Sequence, residues 1–164
     1  MVNLNIVLLE PEIPQNTGNI GRTCNAMGAA LHLVEPLGFS IEDKYLKRAG
    51  MDYWKQLDVT CYKDYEDFLI KNPRGQKVLI SQRAANRCDL FNYHTQVFLI
   101  FGKESVGLPE KMLLQNKDSS VRIPMSAHTR SLNLANTVAI LSYEVLRQHA
   151  FIGLKTAGII HATP

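Results

Sequence analysis

Three polar side chains stand together just before the last long helix that the sequence predicts. Arg130, Ser131 and Asn133 follow a short apolar stretch, residues 121–124, in which the residue before Pro124 is held extended. Serine and asparagine are residue types that close a helix N-terminus, where backbone N–H groups point outward. Guanidinium, hydroxyl and amide groups at such a position can grip a polar ligand. We therefore predict that this loop forms half of a binding site.

A second polar group follows the first predicted strand, residues 4–9. A loop with two prolines leads into a helix, for which Asn16 or Thr17 is the predicted cap and which runs to about residue 26. Arg22 lies near the first turns, on a different side from the apolar residues of this helix. Its guanidinium is either placed to bind an anion or is solvated at the surface, and the local sequence leaves both interpretations open.

Further candidates lie where two other predicted strands end. Gly102 and Glu104 come directly after a strongly apolar strand, and Arg83 and Arg87 follow the strand before it. A glycine at a strand exit lets a ligand approach the backbone, and Glu104 supplies a carboxylate in the same turn. Because ligands collect at the carboxyl ends of strands in open α/β sheets, these four residues are candidates for a shared site.

Several familiar catalytic patterns are absent from the sequence. No glycine stands five positions before Gly102, so there is no P-loop, and no two of the ten glycines have the G-x-G spacing of a dinucleotide-binding fold. There is no G-x-S-x-G nucleophile motif, and no histidine is paired with a cysteine in a known motif. Cys24, Cys61 and Cys88 stand far apart and lack zinc-ligand spacing, which predicts reduced thiols and no metal site.

The composition is that of one ordinary globular domain. The chain has 164 residues, of which 46% are hydrophobic and 20% are charged. It contains no apolar run of membrane-spanning length and no basic N-terminal leader, so we expect a single cytoplasmic domain, residues 1–164, without a membrane partner. The formal charge of +3 permits a polyanionic partner but does not require one.

Short apolar strands alternate with helices along the chain. Strands are predicted at residues 4–9, 31–34, 58–62, 77–81, 96–101 and 121–124, and helices at 41–50, at 64–71, after Pro109 and in the last unit. This alternation predicts an α/β fold with a mainly parallel sheet and helices on both faces. The last helix has a wide apolar arc that includes Ile140 and Tyr143, so this face either packs in the core or meets a second copy of the protein.

Three motifs, taken together in this order and spacing, resemble a known family. They are Pro14-x-Asn16-x-Gly18-Asn-Ile-x-Arg22, Phe101-Gly-x-Glu104-x-x-Gly107-Leu and Ile123-Pro-Met-x(5)-Ser131-Leu-Asn133-Leu. The sequence is similar to the SPOUT superfamily of methyltransferases, and closely so to its small tRNA 2′-O-methyltransferases of the TrmL (YibK) type. The resemblance extends from about residue 4 to residue 147.

The resemblance implies a fold and a methyl donor. In this family the last third of the chain, here roughly residues 78–150, is threaded into a deep trefoil knot, the α/β knot, whose loops bind S-adenosylmethionine. Two copies pair through the knot, which implies a homodimer. The donor-binding residues carried over by motif are Ile80, Gly102, Ile123, Ser131, Leu132 and Asn133. The role of residues 151–164 is not indicated.

The resemblance also implies a reaction. The most similar family members methylate the ribose 2′-hydroxyl of the wobble nucleotide of leucine tRNAs, a cytidine or 5-carboxymethylaminomethyluridine at position 34. The catalytic residues carried over are Asn16, Arg22, Glu104, Ser131 and Asn133. Basic residues expected to contact the RNA are Arg22, Lys44, Lys47, Arg48, Arg83, Arg87 and Arg130.

Two other functions stay open from the sequence. A relative with the same fold could methylate a different ribose, in another tRNA or in ribosomal RNA, and a protein of another class could bind RNA without catalysing a reaction. The proton acceptor is open as well. Because a guanidinium group such as that of Arg22 is normally only a donor, a phosphate or another group is expected to take the proton.

Overall fold

The computed structural model describes residues 2–40, 54 and 56–159, within which seven strands form one sheet. The strands are β1 (Asn3–Leu9), β2 (Ala30–Val34), β3 (Val59–Tyr62), β4 (Gln76–Ile80), β5 (Asn86–Arg87), β6 (Gln96–Phe101) and β7 (Ser120–Arg122). Their order in the sheet is β3-β2-β1-β6-β4-β7-β5, and each of these neighbouring pairs is parallel. The predicted parallel sheet is confirmed.

The helices lie between the strands, as the sequence predicts. The described ranges contain α1 (Pro14–Met27), α2 (Tyr65–Lys71), α3 (Glu110–Gln115) and α4 (Leu134–Gln148), with a 3-10 turn at Lys117–Ser119. The predicted helix at 41–50, with Lys44, Lys47 and Arg48, lies outside the described residues. Along the part of the chain that is described, no helix has both the length and the apolar character needed to cross a membrane.

Alternation along β1 decides what each face of the sheet buries. Leu4, Ile6 and Leu8 join a core cluster that includes the apolar sides of α1 and α4. Val7 and Leu9 point to the other face and pack in a cluster with residues of α2 and α3. Each fully buried side chain of this size stabilises the fold by roughly 2 kcal/mol. Helices therefore cover both faces, as predicted.

Three local predictions were wrong. α1 begins at Pro14 rather than after a cap at Asn16 or Thr17, because proline has no N–H to leave unbonded and its fixed φ suits the first helical position. Asn16 and Thr17 are therefore buried inside the helix. Residues 86–87, predicted as loop, form β5, which is too short to leave a hydrophobic period. The last strand ends at Arg122, two residues before its predicted end at residue 124.

The segment after α4 folds back onto the helical layer. Phe151 and Leu154 are partly buried against the core cluster, whereas Ile152 and Ile159 are exposed. The backbone N–H of Phe151 donates to the carbonyl of Leu146 at 2.9 Å, which ties the segment to the last turn of α4. The first residues beyond α4 thus belong to the domain.

Candidate functional site

A cavity of about 610 Å³ opens at the carboxyl ends of the central strands. Its walls come from the segments that follow β4, β6 and β7 and from the start of α4. It is lined by all six residues predicted to contact the donor: Ile80, Gly102, Ile123, Ser131, Leu132 and Asn133. Asn16, Glu104 and Arg83 line it as well. The fold thus brings the three motifs together around a volume typical of small-molecule sites.

A chain of hydrogen bonds joins the three motifs beside the cavity. Nδ2 of Asn16 donates to Oε1 of Glu104 at 3.0 Å, and Oδ1 of Asn16 accepts from Nδ2 of Asn133, also at 3.0 Å. An asparagine amide has one donating and one accepting end, so it fits between a carboxylate and a second amide. Asn16 is only 7% exposed, and both ends of its side chain are satisfied inside the protein.

Asn133 is also the cap of α4. Its Oδ1 accepts from the backbone N–H groups of Ala135 at 2.9 Å and Asn136 at 3.4 Å, which leaves Nδ2 to donate to Asn16. Such a cap is worth about 1 kcal/mol. Ser131, the other residue predicted to suit this position, is exposed in the cavity wall.

Glu104 holds the backbone just before α1, a helix that has no side-chain cap. Ile13, the residue before α1, has no side chain that can accept a hydrogen bond. Oε2 of Glu104 accepts the backbone N–H of Glu12 at 2.9 Å, and Oε1 accepts that of Ile13 at 3.3 Å. A carboxylate at a helix N-terminus also interacts favourably with the helix dipole. The turn after β6 therefore fixes the start of α1.

Gly102 is required by the packing of the chain itself. A Cβ at this position would clash with the backbone of Gly107 and Leu108. The backbone N–H of Gly107 donates to the carbonyl of Lys103 at 2.9 Å, and Gly107 has a φ of +72° that suits glycine. Residues 102–107 thus form a compact turn in the cavity wall.

Four residues that the sequence analysis did not single out hold this turn against the segment before α1. Nζ of Lys103 lies 2.6 Å from Oε2 of Glu10, and both the N–H and the hydroxyl of Ser105 donate to the carboxylate of Glu12 at 2.9 Å. In each pair the two residues are 93 positions apart in the sequence, which is also the offset between paired residues of β1 and β6. The strand register would have revealed them once these strands were known to be neighbours.

These contacts keep the paired groups charged. The hydroxyl of Ser105, followed by its backbone N–H and by the charge of Lys103, lowers the pKa of Glu12. Its hydrogen bond and ion pair with Glu10 raise the pKa of Lys103. At neutral pH the turn is therefore held by ionised side chains.

The arginines predicted to contact RNA are spread over the surface. Arg83 lines the cavity, and Arg130 is exposed in the loop before α4. Arg87 is exposed and forms a 2.7 Å ion pair with Asp89. Arg22 is exposed near the middle of α1 and does not line the cavity. The structure thus places Arg83 at the site and leaves Arg22 outside the cavity of its own chain.

The cysteines lie away from the cavity and are free thiols. Burial raises the pKa of Cys24 to about 12 and also raises the pKa values of Cys61 and Cys88, which keeps these groups protonated. Among the described residues, no group of three or more histidine, cysteine, aspartate or glutamate side chains could hold a metal ion.

Known proteins share this sequence and this fold. Residues 3–143 match the SpoU rRNA Methylase family. A protein of Geobacillus stearothermophilus, named provisionally as a tRNA (cytidine(34)-2′-O)-methyltransferase, is 47% identical over 93% of this chain and 99% of its own. A structure solved for insight into the 2-OH methylation of C/U34 on tRNA is 42% identical and has a TM-score of 0.86, with 92% of this chain and 98% of that chain covered.

A more distant structure is that of an AdoMet-bound rRNA methyltransferase from Sinorhizobium meliloti. It is 26% identical, with a TM-score of 0.79, and the match covers 88% of this chain but 56% of that one. The predicted resemblance to SPOUT methyltransferases is confirmed by these matches. The motifs, the fold and the extent of the match together show that this chain belongs to the SpoU rRNA Methylase family.

Proposed function

We propose that this protein methylates the ribose 2′-hydroxyl of the wobble nucleotide of tRNA. The donor is S-adenosylmethionine, the product is S-adenosylhomocysteine, and the acceptor is cytidine or 5-carboxymethylaminomethyluridine at position 34 of leucine tRNAs. The observation that carries the proposal is the meeting of three motif loops at one cavity, where Glu104, Asn16 and Asn133 are joined by hydrogen bonds.

The chemistry of the cavity suits the donor. Ile80 and Ile123 offer apolar surface to a purine, and burying that surface is worth a few kcal/mol. Backbone groups at Gly102 can hydrogen-bond the purine edge, while Ser131 and Asn133 offer polar groups to the rest of the molecule. When bound, the donor supplies a methyl carbon that is activated for attack by an oxygen.

Side chains of this protein have two tasks beside the donor. Asn16, Glu104 and Asn133 fix the starts of α1 and α4, so the walls around the reacting groups hold their positions. Arg22 lies outside the cavity of its own chain, so in the proposed homodimer it acts at the cavity of the second copy, where it binds the target phosphate and stabilises the charge that develops on the ribose oxygen as its proton leaves. The proton passes to a phosphate oxygen or another acceptor, because the guanidinium is a donor.

The coverage of the matched structures favours a tRNA over a ribosomal substrate. The match with the structure concerned with C/U34 covers 98% of that chain, whereas the match with the rRNA methyltransferase covers 56% of that one. Basic side chains contact the tRNA backbone. They are Arg83, Arg87 and Arg130, together with Lys44, Lys47 and Arg48, which lie outside the described residues.

A homodimer, a knot and a cytoplasmic location complete the proposal. Ile140 and Tyr143 on α4 are 44% and 49% exposed, an apolar surface that a second copy would cover. β7 lies between β4 and β5 although it follows both in the chain, an order that suits a trefoil knot in residues 78–150. Light scattering tests the dimer, and tracing the chain of a crystal structure tests the knot.

Transfer of a labelled methyl group into total tRNA tests the function. The RNA comes from a strain that lacks this protein, and the labelled nucleotide is then mapped. We expect label at position 34 of leucine tRNAs. Label at another ribose, or in ribosomal RNA alone, would reassign the substrate. Protein that binds RNA in a filter assay but transfers no label would be a binding protein on this fold.

The substitution Arg22→Lys tests the proposed catalytic role of Arg22. Lysine keeps the charge but loses the planar fork that binds a phosphate through two hydrogen bonds. We expect transfer to fall by ~100-fold while calorimetry shows unchanged affinity for S-adenosylmethionine. Arg74→Lys is the matched control, because Arg74 is exposed and precedes β4, at the strand ends opposite the cavity. Normal turnover by Arg22→Lys would remove Arg22 from the mechanism.

A further inference from the structure

Two carboxylates join the turn after β6 to the segment before α1, and each segment contributes one of them. Glu104, in the turn, accepts the backbone N–H groups of Glu12 and Ile13. Glu12, before the helix, accepts the backbone N–H and the hydroxyl of Ser105, both at 2.9 Å. We call the four residues Glu12, Ile13, Glu104 and Ser105 the clasp. Because each carboxylate binds the other's segment, neither segment can move alone.

The backbone of Glu12 is held from its other side as well. Gly38, in the loop after β2, lies so close that an added Cβ would stand 2.7 Å from the carbonyl oxygen of Glu12. The N–H of Gly38 also donates to the carbonyl of Pro11 at 2.9 Å. Glu12 is therefore fixed by a neighbouring loop and presents its carboxylate from a rigid position. A rigid carboxylate can place the turn that it binds.

The clasp continues the register of the sheet beyond its strands. β1 and β6 pair with an offset of 93 residues, and Glu12 meets Ser105 at the same offset. Beyond the ends of β1 and β6, side-chain hydrogen bonds keep the two segments in the register that backbone hydrogen bonds set within the sheet. Near this contact the two segments separate: one becomes α1, which carries Asn16, and the other forms the 102–107 wall of the cavity.

We propose that Glu12 is a positioning residue for methyl transfer, whose carboxylate sets the distance between the 102–107 wall of the cavity and the start of α1. This inference rests on the proposed function, because it assumes that the donor binds against that wall. Two donors of Ser105 converge on Glu12, and a carboxylate offers each its own oxygen. A glutamine keeps one oxygen for the backbone N–H, but it loses the charge that strengthens both bonds, and the hydroxyl must turn to accept from its NH2 group. The wall would then shift while the strands stay paired.

Enzyme kinetics and calorimetry on the full chain test this role. Glu12→Gln is compared with Ser105→Ala, with the double variant and with Glu66→Gln, the same change at an exposed position on α2. For Glu12→Gln we expect about a tenfold higher KM and Kd for S-adenosylmethionine. Ser105→Ala, which keeps the backbone N–H, should show about a threefold rise, whereas Ser105→Thr, which keeps the hydroxyl, and Glu66→Gln should match the wild type.

The double variant distinguishes positioning from a general loss of stability. If Glu12 acts through Ser105, the effects on donor affinity do not add, and the double variant resembles Glu12→Gln. Urea unfolding must show each variant fully folded under the assay conditions, and if Glu12→Gln does not fold, the Ser105 pair carries the test. Unchanged donor affinity in Glu12→Gln, or additive losses, would overturn the inference. Failure of the wild type to bind the donor would instead refute the proposed function.

Discussion

Two polar networks in this protein use similar hydrogen bonds in different surroundings. In the first, Nδ1 of His32 lies 2.8 Å from the hydroxyl of Tyr62, which also accepts from Asn72, and Nε2 lies 3.2 Å from Oδ1 of Asn5. We call these four residues the buried network. The second is the chain of Glu104, Asn16 and Asn133 described above.

The difference lies in what borders each network. His32 is surrounded by aromatic rings, with ring centres 5.9 Å away at Phe68 and 5.6 Å away at Phe98. Asn16 instead lies at the wall of the 610 Å³ cavity. A network sealed among rings can only stabilise the fold, whereas one beside a cavity also sets the position of whatever binds there. We therefore expect changes in the buried network to alter stability and changes at Asn16 to alter activity.

The largest expected effect is the pH dependence that His32 gives to stability. Burial lowers the pKa of His32 to about 4, whereas the unfolded chain binds a proton near the ordinary value of 6.5. The unfolded state therefore binds more protons between these values, and stability falls as the pH drops from 7 to 4, by about 3 kcal/mol. Urea unfolding as a function of pH measures this loss. Carboxylates also make stability depend on pH, so the wild type is compared with His32→Gln. Over the same pH range this variant should lose about 3 kcal/mol less stability than the wild type.

Asn16→Ala should have nearly as large an effect, on activity. It leaves Glu104 and Asn133 without the amide that joins them, so the walls of the cavity lose their alignment. We expect methyl transfer to fall ~100-fold, or about 2.7 kcal/mol in the barrier, and the protein to stay folded. Asn25→Ala, in the last turn of the same helix, is the control. Equal activity in the two variants would contradict the proposed division between the networks.

Tyr62→Phe should produce the opposite pattern, with a smaller effect. The change removes the hydroxyl that bonds Nδ1 of His32, while Nδ2 of Asn72 keeps its bond to the carbonyl of Phe68. Leaving the buried Nδ1 unsatisfied costs about 2 kcal/mol of unfolding free energy. Transfer activity should stay at the wild-type level below the unfolding temperature. Tyr65→Phe, a partly buried tyrosine on α2, provides the matched control in calorimetric melting. A loss of turnover without a loss of stability would show that the buried network reaches the site.

The smallest effect is expected at Ser142, a buried polar residue that belongs to neither network. It is fully buried on α4, and its hydroxyl has no hydrogen-bond partner among the described residues. Ser142→Ala removes an unsatisfied group, so we expect a gain of about 1 kcal/mol in unfolding free energy. Thr137→Ser on the same helix keeps a hydroxyl and gives a reference. Destabilisation by Ser142→Ala would show that its hydroxyl is bonded after all.

The main strands and helices could be predicted because their hydrophobic patterns are strong in the sequence. The strand Gln96–Phe101 and the helix Tyr65–Lys71 with its cap at Asp64 match their predicted bounds closely. The start of α1 was misplaced because two signals competed, and proline at the first position prevailed over Asn16 and Thr17 as caps. Local sequence ranks such signals poorly, since each is worth only about 1 kcal/mol.

The sequence by itself determined the class of fold and the three motifs, because periodic burial and turn chemistry are local properties of the chain. Only the tertiary structure decided which residues meet. Asn16 bonds residues 88 and 117 positions away, and Glu12 meets Ser105 93 positions away. Such contacts depend on the order and register of the strands, which place β1 beside β6 although their paired residues are 93 positions apart. No local sequence pattern encodes that order.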